Sequence, residues 1–533
     1  MAEKTETAVL RVINLRCRAD SAVDLKHLVA RKLEVAVQAV AGVRILRRAA
    51  DARRRRIDFV YTVAAEISTE RGVLERLLQL PDVEPYAEPP VLRRGTPGAI
   101  ASAPIIVGCG PAGLFAALGL AERGIRPIVV ERGSRITKRS VDVDRFWEQG
   151  LLDPESNVLF GEGGAGTFSD GKLTTRIKSS LKNKVLQELV EAGAEQDILY
   201  IDRPHLGTDR LRRIIPALVE KLQRKGVCFR FDTCVRTIHI EKGRVTGITA
   251  GRDRLSTGHL FLACGHSARD VYRVLHHRGV RMECKGFAAG LRIEHPQELI
   301  NYAQTGLREP TEALGPAAYR LAFTDAAEKR GVYSFCMCPG GRIIGCSNSD
   351  GELCTNGMSV YSRQSSWANA AIVAAVRPDD IKGKTVLKAL EFQEELERSA
   401  YSLGGGSYYA PVQPARDFVS PESRRHPQQH GFCSYRPGTA AADLRELLPE
   451  YICGPLQRAL KQFDRRIPGF IDEGLLVGVE TRTSAPLRIL REKKNCQATG
   501  VAGLIPIGEG SGYAGGIMSS AVDGYRAAML FDS

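Results

Sequence analysis

Three glycines, Gly108, Gly110 and Gly113, stand in G-x-G-x-x-G spacing inside "APIIVGCGPAGLFAALGLAERGIRPIVVERG", and Glu131 follows eighteen residues after the last of them. Each glycine has a task where a chain must hold a pyrophosphate. Gly108 permits a tight turn, Gly110 lets backbone approach the phosphates, and Gly113 lets helix and strand pack closely. The free N–H groups that open the following helix complete an anion site. A carboxylate ending the next strand, here Glu131, is placed to hold a ribose 2′-hydroxyl and disfavours a 2′-phosphate. The glycine spacing alone is a weak signal. With an apolar strand before it, a helix after it and the acid at this distance, it predicts dinucleotide binding.

Other residues invite chemistry. In "GTFSDGKLTT", Gly166, Gly171 and Lys172 have Walker A spacing, but Leu173 stands where Ser or Thr would ligate Mg²⁺. Asp170 would also sit against phosphate oxygens, so the Walker spacing reads as an accident. Cys336 and Cys338 alternate along "YSFCMCPGG", which predicts two thiols on one face of a strand. They are either a redox pair, for which a C-x-C bridge needs unusual geometry, or two buried strand thiols. Arg482 in "VETRTSAPLRI" shares a face with Glu480. It either clamps a substrate carboxylate bidentately or forms a structural ion pair with Glu480 or a neighbour. His205 in "RPHLGTDRL" precedes Thr208 and Asp209, which look like a helix cap. It is a candidate general acid or base, or a histidine packed beside a turn. No His, Cys or carboxylate cluster has metal-ligand spacing, and no G-x-S-x-G elbow occurs, so metal and hydrolase chemistry are not expected.

A chain of 533 residues, 43% apolar and 26% charged, exceeds one hydrophobic core, so two or three domains must position these groups. The net charge of +14 is spread through the chain, with one dense run at Arg53 to Arg56 and only 6% aromatics, so nucleic acid is not an expected partner. Thirteen cysteines without zinc-finger pairing, and no signal peptide, predict reduced thiols in the cytoplasm. The uncharged stretch 103–121 is about membrane-span length, yet its Gly-Cys-Gly-Pro interruption predicts strand, turn and helix, and no membrane partner.

Residues 1–92 read as βαββαβ, the order of a ferredoxin-like α+β domain, with the arginine run at a hairpin tip. Residues 93–103, rich in Pro, Gly and small residues, read as a linker. Further on, "GVCFRFDTCVRTIHIEKGRVTGITAGRDRLSTGHLFLACGHSARDV" gives a β-meander, then an apolar strand and "ACGHSAR". That pattern resembles the first domain of glutathione-reductase-type flavoproteins, which implies FAD, with the adenine meeting backbone near Val235.

The strings "NVLFGEGGAGTFSDGKL", "RPHLGTDRL", "LRIEHPQELI", "YSFCMCPGG", "TNGMS", "VETRTSAPLRI" and "GEGSGYAGGIMSSAVDG" extend the likeness over nearly the whole chain. It resembles the FAD-dependent dehydrogenase-like flavoproteins with an amino-terminal ferredoxin-like domain. The resemblance implies an α/β chain: a glutathione-reductase-type FAD-binding Rossmann domain in two parts, 104–279 and 471–533, split by an inserted α+β substrate or cap domain, 280–470. It implies cofactor contacts from Gly108, Gly110, Pro111, Ala112 and Gly113, then from Glu131, Arg132 and Arg139. A second loop would contribute Gly161, Gly163, Gly164, Ala165, Gly166 and Lys172. Val235, Ala263 and Gly265 would follow, and last Gly508, Glu509, Gly515, Gly516 and Ile517. Glu509 stands where an Asp is commoner and would hold a ribityl hydroxyl. The helix opening after Gly516 would face the flavin edge on which negative charge develops.

No second strand-GxGxxG-helix unit is present. The expected activity is therefore two-electron dehydrogenation or reduction of a small organic substrate, with NAD(P)H binding transiently if at all. FAD-dependent monooxygenation is the alternative enzyme. A different class of function is a flavin-binding module docking to RNA or an acidic protein, for which the first domain offers only Phe59 and Tyr61 as sheet aromatics.

Overall fold

The computed structural model describes residues 5–54, 56–88, 102–311, 314–420 and 433–532, without the side chains of residues 5 and 52–56. Residues 93–101 of the expected linker and the side chains of the arginine run lie outside the described residues.

The chain opens with strand Thr5–Arg18, helix Leu25–Leu33, strands Val40–Arg54 and Arg56–Glu70, helix Arg71–Leu77 and strand Val83–Pro85. The first helix starts where Asp24 accepts the N–H groups of Lys26 and His27, a side-chain cap for donors that have no partner within the helix. The four strands form an antiparallel sheet in the order Val40–Arg54, Arg56–Glu70, Thr5–Arg18, Val83–Pro85. Alternate residues Val63, Ala65 and Ile67 face a core that also takes in Val12, Val29 and Leu33. Phe59 packs edge-on to Tyr61, and Arg48 lies over both Phe59 and Tyr200. The Arg48 N–H donates to the Tyr200 carbonyl, and Arg47 pairs with Asp202. Arg48 thus links the aromatic pair to the second domain.

That second domain is built on a five-stranded parallel sheet ordered Leu504–Pro506, Leu260–Leu262, Ile105–Val107, Ile128–Val130, Cys228–Arg230. Its strands are short and apolar because both faces are covered. On one face Ile106, Val129, Phe261 and Ile505 pack against helices Pro111–Glu122, Leu181–Glu191, Gly207–Arg224 and Ile517–Met529. On the other, Ile105, Val107, Val130 and Leu260 meet the antiparallel meander Val235–Glu241, Arg244–Ala250 and Asp253–Ser256. The last strand of the sheet, Leu504–Pro506, comes from the far end of the chain, so the domain closes only after an excursion of more than two hundred residues.

The excursion folds around a seven-stranded mixed sheet ordered Ala322–Asp325, Arg330–Cys338, Trp367–Val376, Phe287–Pro296, Leu475–Glu480, Ala410–Pro414, Thr439–Ala441. Leu475–Glu480 pairs with Phe287–Pro296 and Ala410–Pro414. The division at 470 drawn from the sequence therefore falls one strand too early. An apolar run reads the same whichever sheet it joins, and its partners lie far away in the chain. Among the described residues no helix is long and apolar enough to cross a membrane.

Candidate functional site

The first glycine turn is as tight as its spacing demands. A Cβ on Gly108, at φ 105°, would lie 2.4 Å from the Ala263 carbonyl oxygen, and one on Gly113 would lie 2.0 Å from that of Gly108. Gly110 differs: a Cβ there would meet nothing nearer than Gly164 Cα at 3.8 Å. Helix Pro111–Glu122 starts from Gly110 with no side-chain cap and with Pro at its first turn, where a missing N–H costs nothing. Helix Ile517–Met529 starts from Gly516, also without a side-chain cap. Gly110, Pro111 and Ala112 of one helix start and Gly515, Gly516 and Ile517 of the other line a single cavity of about 480 Å³. That volume is in the range of cofactor and substrate pockets. Two uncapped helix starts on one cavity offer N–H donors and partial positive charge to an anionic ligand.

The loop of residues 161–172 follows the cavity wall. Gly164 lies against Gly110, Gly166 against Ile517, and Lys172 reaches Cys338 at 3.7 Å, so the loop runs from one helix start past the other to the seven-stranded sheet. Arg139 holds this loop in place. Wholly buried, its guanidinium donates to the carbonyls of Asn157, Val158, Glu162 and Gly164. Arg139 is therefore a brace behind the wall, not the cofactor contact that the resemblance implies. Burial drives its pKa down to about 10, against the pull of Glu131. Gly113, Gly161, Gly163 and Gly508 also sit behind the lining, where a side chain would strike Gly108, Arg139, Thr167 and Ala112 respectively.

Glu131 is on the wall, but its carboxylate already accepts three backbone N–H groups, from Cys109 at 2.8 Å, Gly133 at 2.9 Å and Gly161 at 3.0 Å. It pins the glycine turn to the second loop. Burial raises its pKa, opposed by those three donors. One acceptor site of the carboxylate's four remains for a ribose hydroxyl. Arg132, also on the wall, pairs with Asp270 at 2.7 Å and stacks over Phe160. Val235, Ala263, Gly265, Gly164, Ala165 and Gly166 line the cavity directly.

At the second helix start, Glu509 accepts the Gly516 N–H at 3.2 Å and faces His266 Nδ1 at 3.8 Å. The extra methylene relative to Asp lets the carboxylate curl back onto the helix that follows. His266, which carries no motif role in the sequence, lines the same cavity, and its buried Nε2 has no hydrogen-bond partner among the described residues. Burial holds its pKa below the usual histidine value.

The seven-stranded sheet and its loops close the cavity with Phe335, Cys336, Asn356, Arg482 and Thr483. Arg482 does not pair with Glu480. Its Nε and Nη2 fork onto Glu397 at 2.9 and 2.6 Å, and Nη1 donates to Asn348. Glu397 also accepts Arg269 from the five-stranded-sheet domain at 2.8 Å, so one buried carboxylate ties the two halves of the cavity together. With every guanidinium nitrogen engaged, Arg482 is a strut of the wall rather than a free carboxylate clamp. Glu480 instead lies 3.5 Å from Arg292, and burial raises its pKa to about 8 against that guanidinium.

His205 pairs with Lys172 across a β-bridge but is not among the residues that line the cavity. Its Nε2 meets the Tyr361 carbonyl at 2.9 Å and its ring stacks on Tyr361, so no acid or base role follows from its position. The helix after it, Gly207–Arg224, has no side-chain cap: Thr208 donates to the Thr167 carbonyl and Asp209 accepts the Tyr361 N–H. Lys172 is on the wall, paired with Asp170 at 3.0 Å. Burial opposes its charge, yet Cys338, Cys336 and Asp170 hold its pKa above the ordinary lysine range. Asp170 is fixed by Arg363 and Ser359 from the far domain. Local spacing carries no sign of these partners, because the residues that pair with Asp170 are almost two hundred positions away.

Residues 102–142, which span the glycine turn and Glu131, match the family described as an FAD binding domain, and residues 286–483 match "FAD-dependent protein, C-terminal domain-like". Residues 9–66 match a domain of unknown function. An uncharacterized protein of Clostridium beijerinckii is 40% identical over 523 residues, covering 97% of this chain and 98% of the relative. The chain belongs to the family of this clostridial protein. It is an FAD-binding flavoprotein. The 286–483 match begins and ends within a few residues of the seven-stranded sheet, the unit that includes Leu475–Glu480. Among solved structures, an L-amino acid deaminase from Proteus vulgaris is 11% identical, covering 83% of this chain and 94% of its own at a TM-score of 0.34. NikD, an amino acid oxidase of nikkomycin biosynthesis, is 12% identical, covering 80% of this chain and 92% of its own at a TM-score of 0.33. At such identities and scores these likenesses decide nothing about chemistry.

Proposed function

We propose that this chain is an FAD-dependent oxidoreductase that carries out two-electron dehydrogenation or reduction of a small organic molecule. The observation that carries the reading is the single cavity onto which both uncapped helix starts and the residues of the seven-stranded sheet converge. The strand order of the parallel sheet supports a glutathione-reductase-type Rossmann domain, and the βαββαβ order of the first domain supports a ferredoxin-like fold.

FAD, when bound, supplies an acceptor and donor of electron pairs. The chain's own residues do the rest. Gly110 and the start of helix Pro111–Glu122 would hold the pyrophosphate, with Val235 and Ala263 toward the adenosine and Gly515 and Gly516 at the ring. Phe335, Asn356 and Thr483 bound the remaining space, exclude water and offer polar groups to orient a substrate. His266, with Nε2 free, is the side chain placed to take or give a proton at that atom.

The test is anaerobic mixing of purified holoprotein with NADH, NADPH and panels of amino acids, hydroxy acids and amines, followed through the oxidised-flavin absorption band. Rapid bleaching by one class identifies the reductant and supports the reading. Purification without flavin, or a holoprotein that no reductant bleaches and that shifts RNA in a salt-sensitive manner, overturns it in favour of a binding module.

A further inference from the structure

The strand that carries Cys336 and Cys338 departs from regular geometry at the point where it reaches the cavity. Its pairing with Trp367–Val376 shifts register between Phe335 and Cys338, and Cys336 adopts φ 44°. On a regular strand residues i and i+2 have Cα atoms about 6.6 Å apart, near the upper limit for a disulfide. The irregularity changes that: Cys338 Sγ lies 3.3 Å from the Cys336 carbonyl oxygen, so its thiol turns back onto residue 336. Cys336 lines the cavity while Cys338 is fully buried behind it. Two cations attend the pair. Lys172 Nζ is 3.7 Å from Cys338 Sγ, and Arg292 Nη2 donates to the Cys336 carbonyl at 3.0 Å.

We infer that Cys336 and Cys338 form a dithiol–disulfide couple, a second two-electron centre that exchanges an electron pair with the flavin across the shared cavity. This rests on the reading of the cavity as the flavin site. In the forward step one S–S bond forms between the two Sγ atoms and two S–H bonds are lost. The two electrons pass to oxidised flavin, and the two protons go with them or to solvent. Reduction of the disulfide by reduced flavin is the reverse. Cys336, facing the cavity, is the sulfur that meets the flavin or an incoming disulfide, and Cys338 resolves it. The charge pattern agrees: the neighbouring Cys338 thiol, then Lys172 and Arg292, lower the pKa of Cys336 against burial, and the neighbouring Cys336 thiol together with burial raises that of Cys338.

Trypsin should release residues 331–342, which contain these two cysteines and no other, as one peptide. Holoprotein equilibrated in oxidised and reduced dithiothreitol mixtures, alkylated and mapped, should yield this peptide unlabelled and lighter by two hydrogens at the oxidised end and doubly labelled at the reduced end. Anaerobic dithionite titration of the oxidised holoprotein should then consume four electrons per flavin, against two for Cys336→Ser and Cys338→Ser, which should retain their flavin. A wild-type uptake of two electrons, or a peptide that is doubly labelled at every buffer ratio, overturns the couple while leaving the flavin reading intact. Loss of flavin from the wild type would instead strike at the flavin reading. If neither serine variant folds, the peptide map and the wild-type electron count decide the matter alone.

Discussion

Two glycines three positions apart should fail in opposite ways when changed to alanine. A methyl on Gly113 would sit 2.0 Å from the Gly108 carbonyl oxygen, where ordinary contact begins near 3.4 Å, so helix and strand must separate by more than an ångström. Overpacking of that kind costs about 1–3 kcal/mol and acts on the fold. A methyl on Gly110 meets nothing among the described residues closer than 3.8 Å, and its φ of −79° suits any residue. As the residue that precedes a helix, alanine there should cost less than about 1 kcal/mol of stability. It would, however, stand on the cavity wall at the uncapped helix start, where the pyrophosphate must approach the backbone. An overpacking cost of about 1–3 kcal/mol there corresponds to about a 5- to 150-fold weaker FAD affinity. The measurement is a pair of curves for each variant: urea unfolding of the apoprotein, and FAD titration of the apoprotein by quenching of flavin fluorescence. Gly113→Ala should shift the first curve, and Gly110→Ala the second with the first nearly unmoved. Wild-type affinity in Gly110→Ala, or wild-type unfolding in Gly113→Ala, would refute the placement of the pyrophosphate and of the helix–strand contact respectively.

Glu397→Gln leaves the buried Arg482 guanidinium with neutral partners only, while Arg269 keeps Glu352, and removing one member of a buried charge cluster costs about 3–5 kcal/mol, so its urea midpoint should drop well below that of the wild type. His205→Ala should keep substrate-dependent flavin reduction within about tenfold of wild type, because a lost general acid or base costs about 10²–10⁴-fold and this ring faces Tyr361 rather than the cavity. His295 is buried, donates its Nε2–H to the Phe470 carbonyl at 2.8 Å, and has its pKa pushed down to about 4 by burial. A depressed folded pKa means that the unfolded chain takes the proton first, so stability is complete above about pH 6.5 and falls as the pH drops toward 4. By pH 5 the loss is about 2 kcal/mol, which urea midpoints at pH 7 and pH 5 should register and which His295→Gln should flatten. Arg139→Lys replaces a fork that reaches four carbonyls with one ammonium, and the residue 161–166 loop should lose protease protection together with FAD affinity.

What the sequence made legible is what local spacing encodes. The Gly108–Gly113 turn, the strand before it and the helix after it are set within a dozen residues, and the geometry there matches the task of each glycine. The order of the meander strands is legible for the same reason, since Lys242 and Gly243 carry the positive φ values of a tight turn. Pairings between distant residues were not legible. Arg482 lies two positions from Glu480 in the chain but its partner is Glu397, eighty-five residues away, because the strand ends at Glu480 and the chain beyond it leaves that face for the carboxylate that Arg269 also holds. Glu131 was legible as a position, whereas its partner Gly161 belongs to a loop whose path is set by Arg139.

Lys172 shows where local reasoning stops and geometry begins. Its Walker-like spacing places it one residue past Gly171 and two past Asp170, and it is Asp170 together with Leu173 that argues against a phosphate loop. Its fate depends on the far domain: Arg363 and Ser359 fix Asp170, Asp170 fixes Lys172, and Lys172 then stands over Cys338. The order of dependence matters for any variant. Arg363→Ala should loosen Lys172 and raise the pKa of Cys336, slowing its alkylation near neutral pH, although Arg363 touches neither thiol. Alkylation of Cys336 at the wild-type rate in that variant would mean that Arg292 alone sets the reactivity of the pair, and that the chain from Arg363 through Asp170 ends at Lys172.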